Sequence, residues 1–504
     1  MNRLNVLFVL LWCSAVLSAK AERINHAGRL LGPAPVLTNA VLFNTPAADA
    51  IVAAMQIFPL DSAWNEDISR RPALPNSDAM IARISSDLSS TRRTLRAFEE
   101  MNFALVPDSQ PLVPINFTHY PDESEPSPYP IPSNLPIETW PSGTGGLTLQ
   151  QWQQDVNAVG GDRHAIIVQP GAGFLWETWL TLLNGGQWEA ANGAKFDLKS
   201  NVLRPAGWTS GDAAGLPMFP ALPRFDECER GEIEHALRIV VQRTRAEFIY
   251  PARHYASSLT DPNVPAMGQR LRLKSSFAIP GTWTKQEKAI LTALKKYGAL
   301  VADNGNFFSI SVTPDNRWPA GCFDHLSTVG ITNFEVIQTT GQNEGPRSPN
   351  PPAADAGPDR MVWLGQPVTL DGSVTWNGLP TTNRWKLYSG EGTAAFADAT
   401  RTNTTVSFSA PGIYTLLLSA DDGVHAIAYD AAVFTVVQGI SVTISRNGPD
   451  VLLNWSGGSA PFVIEHAAAL TPTVWQPLLT NTQSSATLPP SAPTRFFRVR
   501  AQGQ

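Results

Sequence analysis

Carboxylates, imidazoles, guanidinium groups and tryptophans concentrate in and around one stretch, Arg204 to Arg238, which reads RPAGWTSGDAAGLPMFPALPRFDECERGEIEHALR. Cleaving a glycosidic bond by hydrolysis takes two carboxyl groups, one to protonate the leaving oxygen and one to attack or to activate water. Glu177, Asp197, Asp212 and Glu232 are the candidates, and Asp162, two residues before His164, joins them. Trp176 and Trp208 could stack on sugar rings, because an aromatic face matches the apolar face of a pyranose. β-Elimination from a uronate needs a different set: a cation to neutralise the sugar carboxylate and a His or Tyr to move protons. Arg204 and Arg253 offer the first, and His164, His235, His254 and Tyr255 the second. Each residue also has a plainer role open to it. Tryptophans fill cores, acids pair with arginines, and a buried imidazole can simply be satisfied by its neighbours.

Other chemistries find no pattern. His164, His235 and His254 show no HExxH or CxxC spacing, so no metal site is expected. Thr209-Ser210-Gly211-Asp212 is not a G-x-S-x-G elbow, and no Walker or dinucleotide glycine pattern occurs, so no cofactor is expected.

The elements that must hold these residues are mostly strands. In HAIIV, His164, Ile166 and Val168 share a face; in FLWETWL, Leu175, Glu177 and Trp179 do. EIEHALRIVVQ alternates so that His235 falls with Ile233, Leu237 and Ile239 on an apolar face. EFIYPARHY reads as its partner, ended by Pro251 so that Arg253, His254 and Tyr255 lie just beyond the sheet. RLRLKSSF (270–277) is a further strand. Helices are predicted after Asn76-Ser77, with Met80, Ile81, Ile84 and Leu88 in register, and over 284–297, where Thr284 and Glu287 form a capping box. Asn304-Gly305 predicts a hairpin joining 300–302 to 307–312. From Pro107 to Pro141 prolines fix φ and remove donors, so the chain there wraps a surface, either as an exposed belt or as the wall of a groove.

At 504 residues three folded units are expected, and 42 prolines and 37 glycines with only 16% charged residues favour short strands and turns over charged helices. MNRLNVLFVLLWCSAVLSAKA has the basic start, apolar run and A-x-A end of a secretory leader (1–21), and no later stretch is apolar enough to span a membrane. The formal charge of −6 gives no footprint for nucleic acid. Once Cys13 leaves with the leader, Cys228 and Cys322 remain. In an oxidising compartment they are expected to form a disulfide, with two separate buried thiols as the alternative.

Residues 22–50 read as an extended lead-in, 51–340 as a large β-rich domain carrying the site, and GQNEGPRSPNPP (341–352) as a linker. Beyond it, Ala356-Gly357-Pro358-Asp359, Leu370-Asp371-Gly372-Ser373, Gly412-Ile413-Tyr414 and Asp421-Asp422-Gly423 resemble the PKD family of immunoglobulin-like modules, over about 353–438. That resemblance implies a spacer or weak carbohydrate contact. Residues 439–504 resemble a small fibronectin-like β-module. GDRHAIIV, RPAGWTSGDAAGLP, HALR and PARH make the first domain similar to a group of exported proteins that brings no activity with it. The fold class expected is mainly β and multi-domain: a sandwich or jelly-roll-like domain with a few helices, then two small immunoglobulin-like or fibronectin-like sandwiches. The function expected is an exported polysaccharide-degrading enzyme, glycoside hydrolase or lyase, whose partner is a polysaccharide or cell-surface glycan. The rival is a non-catalytic surface protein that binds glycan or protein.

Overall fold

Alternation along the strand Ala165–Gln169 organises the first domain, because its two faces enter two different cores. Ile166 and Val168 pack with Leu237, Ile239, Val301 and Phe308, while Ala165 and Ile167 pack with Ile115, Tyr129 and Trp188. The computed structural model describes residues 23–155, 162–338, 351–376, 378–458, 460–469, 471, 473–489 and 496–501; the leader and nearly all of the expected linker lie outside them. Within these the protein is mainly β and multi-domain.

Three larger sheets and one two-stranded sheet build the described part of the first domain. A six-stranded sheet runs in the order Phe334–Val336, Arg270–Leu273, Ala299–Asn304, Leu237–Val241, Phe308–Val312, Leu95–Glu99. A five-stranded sheet contains Asn192–Asp197, Phe174–Trp179, Ala165–Gln169, Ala104–Leu105 and Val41–Leu42. A three-stranded sheet joins Ile115–Phe117, Gln187–Ala190 and Leu182–Asn184. Parallel pairs occur in all three larger sheets, for example Leu237–Val241 with Ala299–Asn304. Helices α1 (Pro46–Ala53), α2 (Ser77–Asp87), α3 (Leu149–Gln154), α4 (Phe225–Arg230) and α5 (Lys285–Lys296) lie around the sheets. The Thr284–Glu287 capping box forms as expected, and Ile290, Leu291 and Leu294 are buried.

Several local expectations give way to long-range pairing. The strands on either side of Asn304-Gly305 form no hairpin: Leu237–Val241 inserts between them and takes their backbone groups. The predicted strand over 232–242 begins only at Leu237, because Ala236 N donates to Trp64 O and Glu232 N to Glu227 O. EFIYPARHY contributes one isolated bridge, Phe248 to Met267, instead of a strand. The lead-in is not simply extended. Arg23–Ile24 pairs with Leu30–Leu31, and Thr45 caps α1, its Oγ1 accepting from Ala48 N. The proline belt is packed, with Tyr129, Leu135 and Ile137 buried in the second core.

The second unit is an immunoglobulin-like β-sandwich. Arg360–Trp363, Ala428–Val437, Gly412–Asp421 and Thr382–Ser389 form one sheet, and Val368–Thr369, Thr405–Phe408 and Ala394–Phe396 face it across Trp385, Tyr414, Leu416 and Phe434. The Tyr414 hydroxyl donates to Ala410 O at 2.8 Å, tying the strand to the preceding turn. The third unit is a smaller pair of three-stranded sheets around Leu453, Trp455, Phe462 and Ile464. The second unit sits against the first domain through its four-stranded sheet. Leu417 and Ala431 are buried on the outer face of that sheet, where the Tyr429 ring meets Gly28 and the Tyr388 hydroxyl accepts from Leu30 N. Arg70 clasps Asp421 with two bonds, 2.7 and 3.1 Å.

Candidate functional site

Three of the expected catalytic residues come together, but inside the protein. His164 is 3% exposed; its Nδ1 donates to Glu138 at 3.0 Å and its Nε2 to Gly211 O at 2.8 Å. Burial works against a charged imidazole, yet Glu138 outweighs it, with Asp162 and Asp212 adding to the effect, and pushes the ring up to about 9. Glu177, wholly buried, accepts the backbone N–H groups of Met218 and Phe219 at 2.9–3.0 Å. Burial pushes its carboxyl up to about 7 against the pull of those donors. Asp212 is held by both Nε and Nη2 of Arg238, whose Nη1 donates to Ser311 Oγ at 2.6 Å; that hydroxyl donates in turn to Glu100. Strand and loop backbone thus meet at a buried polar seam whose ionised members are paired, as burial demands. The remaining acids stay apart on the surface. Asp162 is exposed, Asp197 accepts from Lys199 N at 2.8 Å, and Glu232 is exposed just past α4.

His235 was expected on an apolar sheet face. Because the strand starts two residues later, its ring instead meets Glu227 (3.2 Å) and Arg224 (3.3 Å), with Nδ1 donating to Ala236 O. The neighbouring cavity, about 40 Å³, has room for one water and is walled by Asn25, Arg29, Asp226 and Glu234. Adjacent acids differ there. Burial and the charge of Glu227 raise Asp226 to about 6, whereas Glu227, despite its burial, is brought to about 2 by Arg224 and His235.

The expected binding residues assemble on another face. Arg204 lies over Trp208 at 5.5 Å and pairs with Glu125, and its Nη2 donates to Thr209 O and Glu123 O. Arg253 Nε donates to Arg204 O at 2.8 Å, while the Arg253 backbone bonds both Ala214 and Gly207. Its two terminal nitrogens have no hydrogen-bonding or ionic partner among the described residues. Arg253 also lines a notch of about 30 Å³, too small for a sugar ring, with Phe58, Trp64, Phe196, Tyr250 and Arg204 and with no carboxylate. The next residue, His254, donates from Nδ1 to Ala213 O at 2.7 Å, and its Nε2 has no hydrogen-bond partner among the described residues. Tyr255, 46% exposed, stacks on that ring at 6.1 Å. Gly215 carries φ +70° here, and a Cβ would stand 2.6 Å from Trp208 O and 3.2 Å from Arg253 Cβ, so only glycine lets the 208–215 loop close on Arg253.

No known family profile matches the chain. Among solved structures it is similar to the PKD domain of the KIAA 1837 protein, with 22% identity over 20% of this chain and 99% of that one, and a TM-score of 0.16. The PKD domain of human KIAA0319 is similar at 19% identity over 22% and 97%, TM-score 0.16. A nucleoside hydrolase-related protein from Saccharophagus degradans, described as associated with carbohydrate metabolism, is similar at 16% identity over 37% and 49%, TM-score 0.16. At such scores these likenesses assign no activity.

Trp176 is not a platform for ligand: its Nε1 donates to Gln169, and Tyr129 and Lys195 cover its ring. Cys228 and Cys322 are two free buried thiols and not the expected disulfide. The turn acids of the second unit serve backbone donors, with Asp422 accepting from Val424 N and His425 N. No cluster of metal-ligating side chains occurs among the described residues. Sequence reasoning missed Glu138, Glu100 and Ser311, whose roles depend on strands far apart in the chain, and Asn134, Gln150, Gln153 and Trp188, which line a separate groove. Its one visible signal is the amide run LQQWQQ after the proline belt.

Proposed function

We propose that this is an exported protein that engages a uronate-bearing polysaccharide on the surface around Arg253, His254 and Tyr255 and cleaves it by β-elimination. The observation that carries this reading is the guanidinium of Arg253, braced at Nε and backbone but unpaired at its two outer nitrogens, beside an aromatic-lined notch free of carboxylates. A fork of two N–H donors matches a carboxylate. With the sugar carboxylate neutralised, the C5 proton becomes more acidic and His254 Nε2 takes it. The C5–H electron pair forms the C4=C5 double bond, the C4–O bond breaks, and the Tyr255 hydroxyl protonates the leaving oxygen. Hydrolysis is the poorer fit, because Glu177 and Asp212 are sealed from solvent while Asp197, at the end of a strand, and Glu232, in the loop past α4, are exposed apart from them.

The test is incubation with polygalacturonate, alginate and hyaluronan, following the ultraviolet absorbance of unsaturated products and the release of reducing ends. Arg253→Ala should abolish binding and product alike, whereas His254→Ala should keep binding and lose product. Binding without product in any channel reduces the protein to a non-catalytic glycan binder. Failure to bind every acidic polymer removes the reading.

A further inference from the structure

A groove of about 660 Å³ opens on the opposite chemistry: none of its lining side chains is charged. The proline belt forms one wall with Ile131 to Asn134, α3 forms another with Leu149, Gln150 and Gln153, and the strands Leu182–Asn184 and Gln187–Ala190 supply Leu183 and Trp188. Its volume falls in the range of roughly 300–1,000 Å³ typical of small-molecule sites.

The walls are fixed before any ligand arrives. Thr148 and Gln151 make a reciprocal capping box at the start of α3, and Trp152 Nε1 donates to Glu138 O at 3.2 Å, anchoring the helix to the buried seam. Val113 and Tyr129 pair across the belt, N to O in both directions, at 2.7 and 3.0 Å. Most telling is Gln153. It is 2% exposed, and its amide nitrogen donates to Ser133 O at 3.2 Å and Leu135 O at 2.9 Å. Both amide hydrogens being spent on carbonyls, the orientation of the group is determined, and its Oε1 accepts no hydrogen bond among the described residues. An acceptor fixed in this way and met by no described protein donor can take a hydrogen bond from a group that enters the groove.

We propose that this groove binds a neutral oligosaccharide, independently of the surface around Arg253. Sugar hydroxyls are donors and acceptors at once, which suits one locked acceptor (Gln153 Oε1) beside two adaptable amides (Asn134 and Gln150), while Trp188, Leu149 and Leu183 meet the apolar faces of the rings. An absence of charge in the lining of an acidic protein disfavours uronates and ionic peptides. A peptide adding as a strand would need a sheet edge, and the strand at this edge, Leu182–Asn184, is only three residues long.

The experiment is calorimetric titration of the full chain with neutral hexasaccharides of glucose, mannose and xylose, and with a proline-rich peptide. Saturable binding to at least one sugar is expected, weakened tenfold or more in Asn134→Ala/Gln150→Ala and in the groove-filling Ser133→Trp at unchanged melting temperature. Arg253→Ala should leave it intact, which separates failure here from failure of the lyase reading. No saturable sugar binding at millimolar concentration overturns the proposal. So does binding that ignores both groove variants, or preference for the peptide.

Discussion

Glu138 and His164 form an ion pair shut away from water, so its consequences appear in stability. The imidazole sits at about 9 in the folded protein against an ordinary 6.5. Its contribution is complete below 6.5 and disappears as pH climbs through about 9. Glu177 behaves alike for a different reason, since burial raises it from 4.5 to about 7: the folded state holds that proton more tightly, and the stabilisation is lost as pH rises through about 7. Glu177→Gln keeps an acceptor for Met218 and Phe219 and should flatten the fall in melting temperature between about pH 4.5 and 7; an unchanged profile would exclude Glu177 as its source. Arg238→Leu strands Asp212 and Ser311 without their donor. A loss of about 3–5 kcal/mol is expected in chemical denaturation, as for other broken buried pairs. The thiols should be inert. Burial raises Cys228 well above the usual range and Cys322 to about 12, so a thiol reagent should label both only after unfolding.

At the scale of elements, α5 shows a local signal and a distant partner agreeing. Thr284 Oγ1 accepts from Glu287 N and donates to Cys322 O, and Glu287 accepts from His325, so one cap ties the helix to the segment that joins strands Phe308–Val312 and Phe334–Val336. Thr284→Ala should lower stability by about 1–2 kcal/mol, measurable by urea titration. Its helical periodicity made α5 readable in advance. Asn304-Gly305 misled, because a good turn does not oblige its flanking strands to pair when a third strand, Leu237–Val241, runs between them, laddering along Ala299–Asn304 and meeting Phe308–Val312 at Val240 and Ser309.

Across the whole molecule, the second unit is held to the first by a small seam that includes one ion pair. Arg70 and Asp421 are partly exposed, so Asp421→Asn should shift the melting temperature little, by less than about 1 kcal/mol in stability. Replacing Gly28, which lies at φ +80° with a Cβ position 3.1 Å from the Tyr429 ring, acts on the contact itself. Gly28→Val should release the second unit, seen as an increased radius of gyration in solution scattering while each unit still melts as before.

Residue by residue, sequence determined what depends on neighbours in the chain: the capped helix α5, the alternation that puts Ile166 and Val168 in one core and Ala165 and Ile167 in another, and the turn glycines and strands of the immunoglobulin-like unit. Tertiary structure decided everything that depends on which distant segments meet. It buried Glu177 and Asp212, turned His235 toward Arg224 and Glu227, and left Arg253 open. Periodicity reports the face a side chain takes on its own strand, but burial and charge pairing are set by what packs against that face, and those partners lie from 8 to more than 70 residues away.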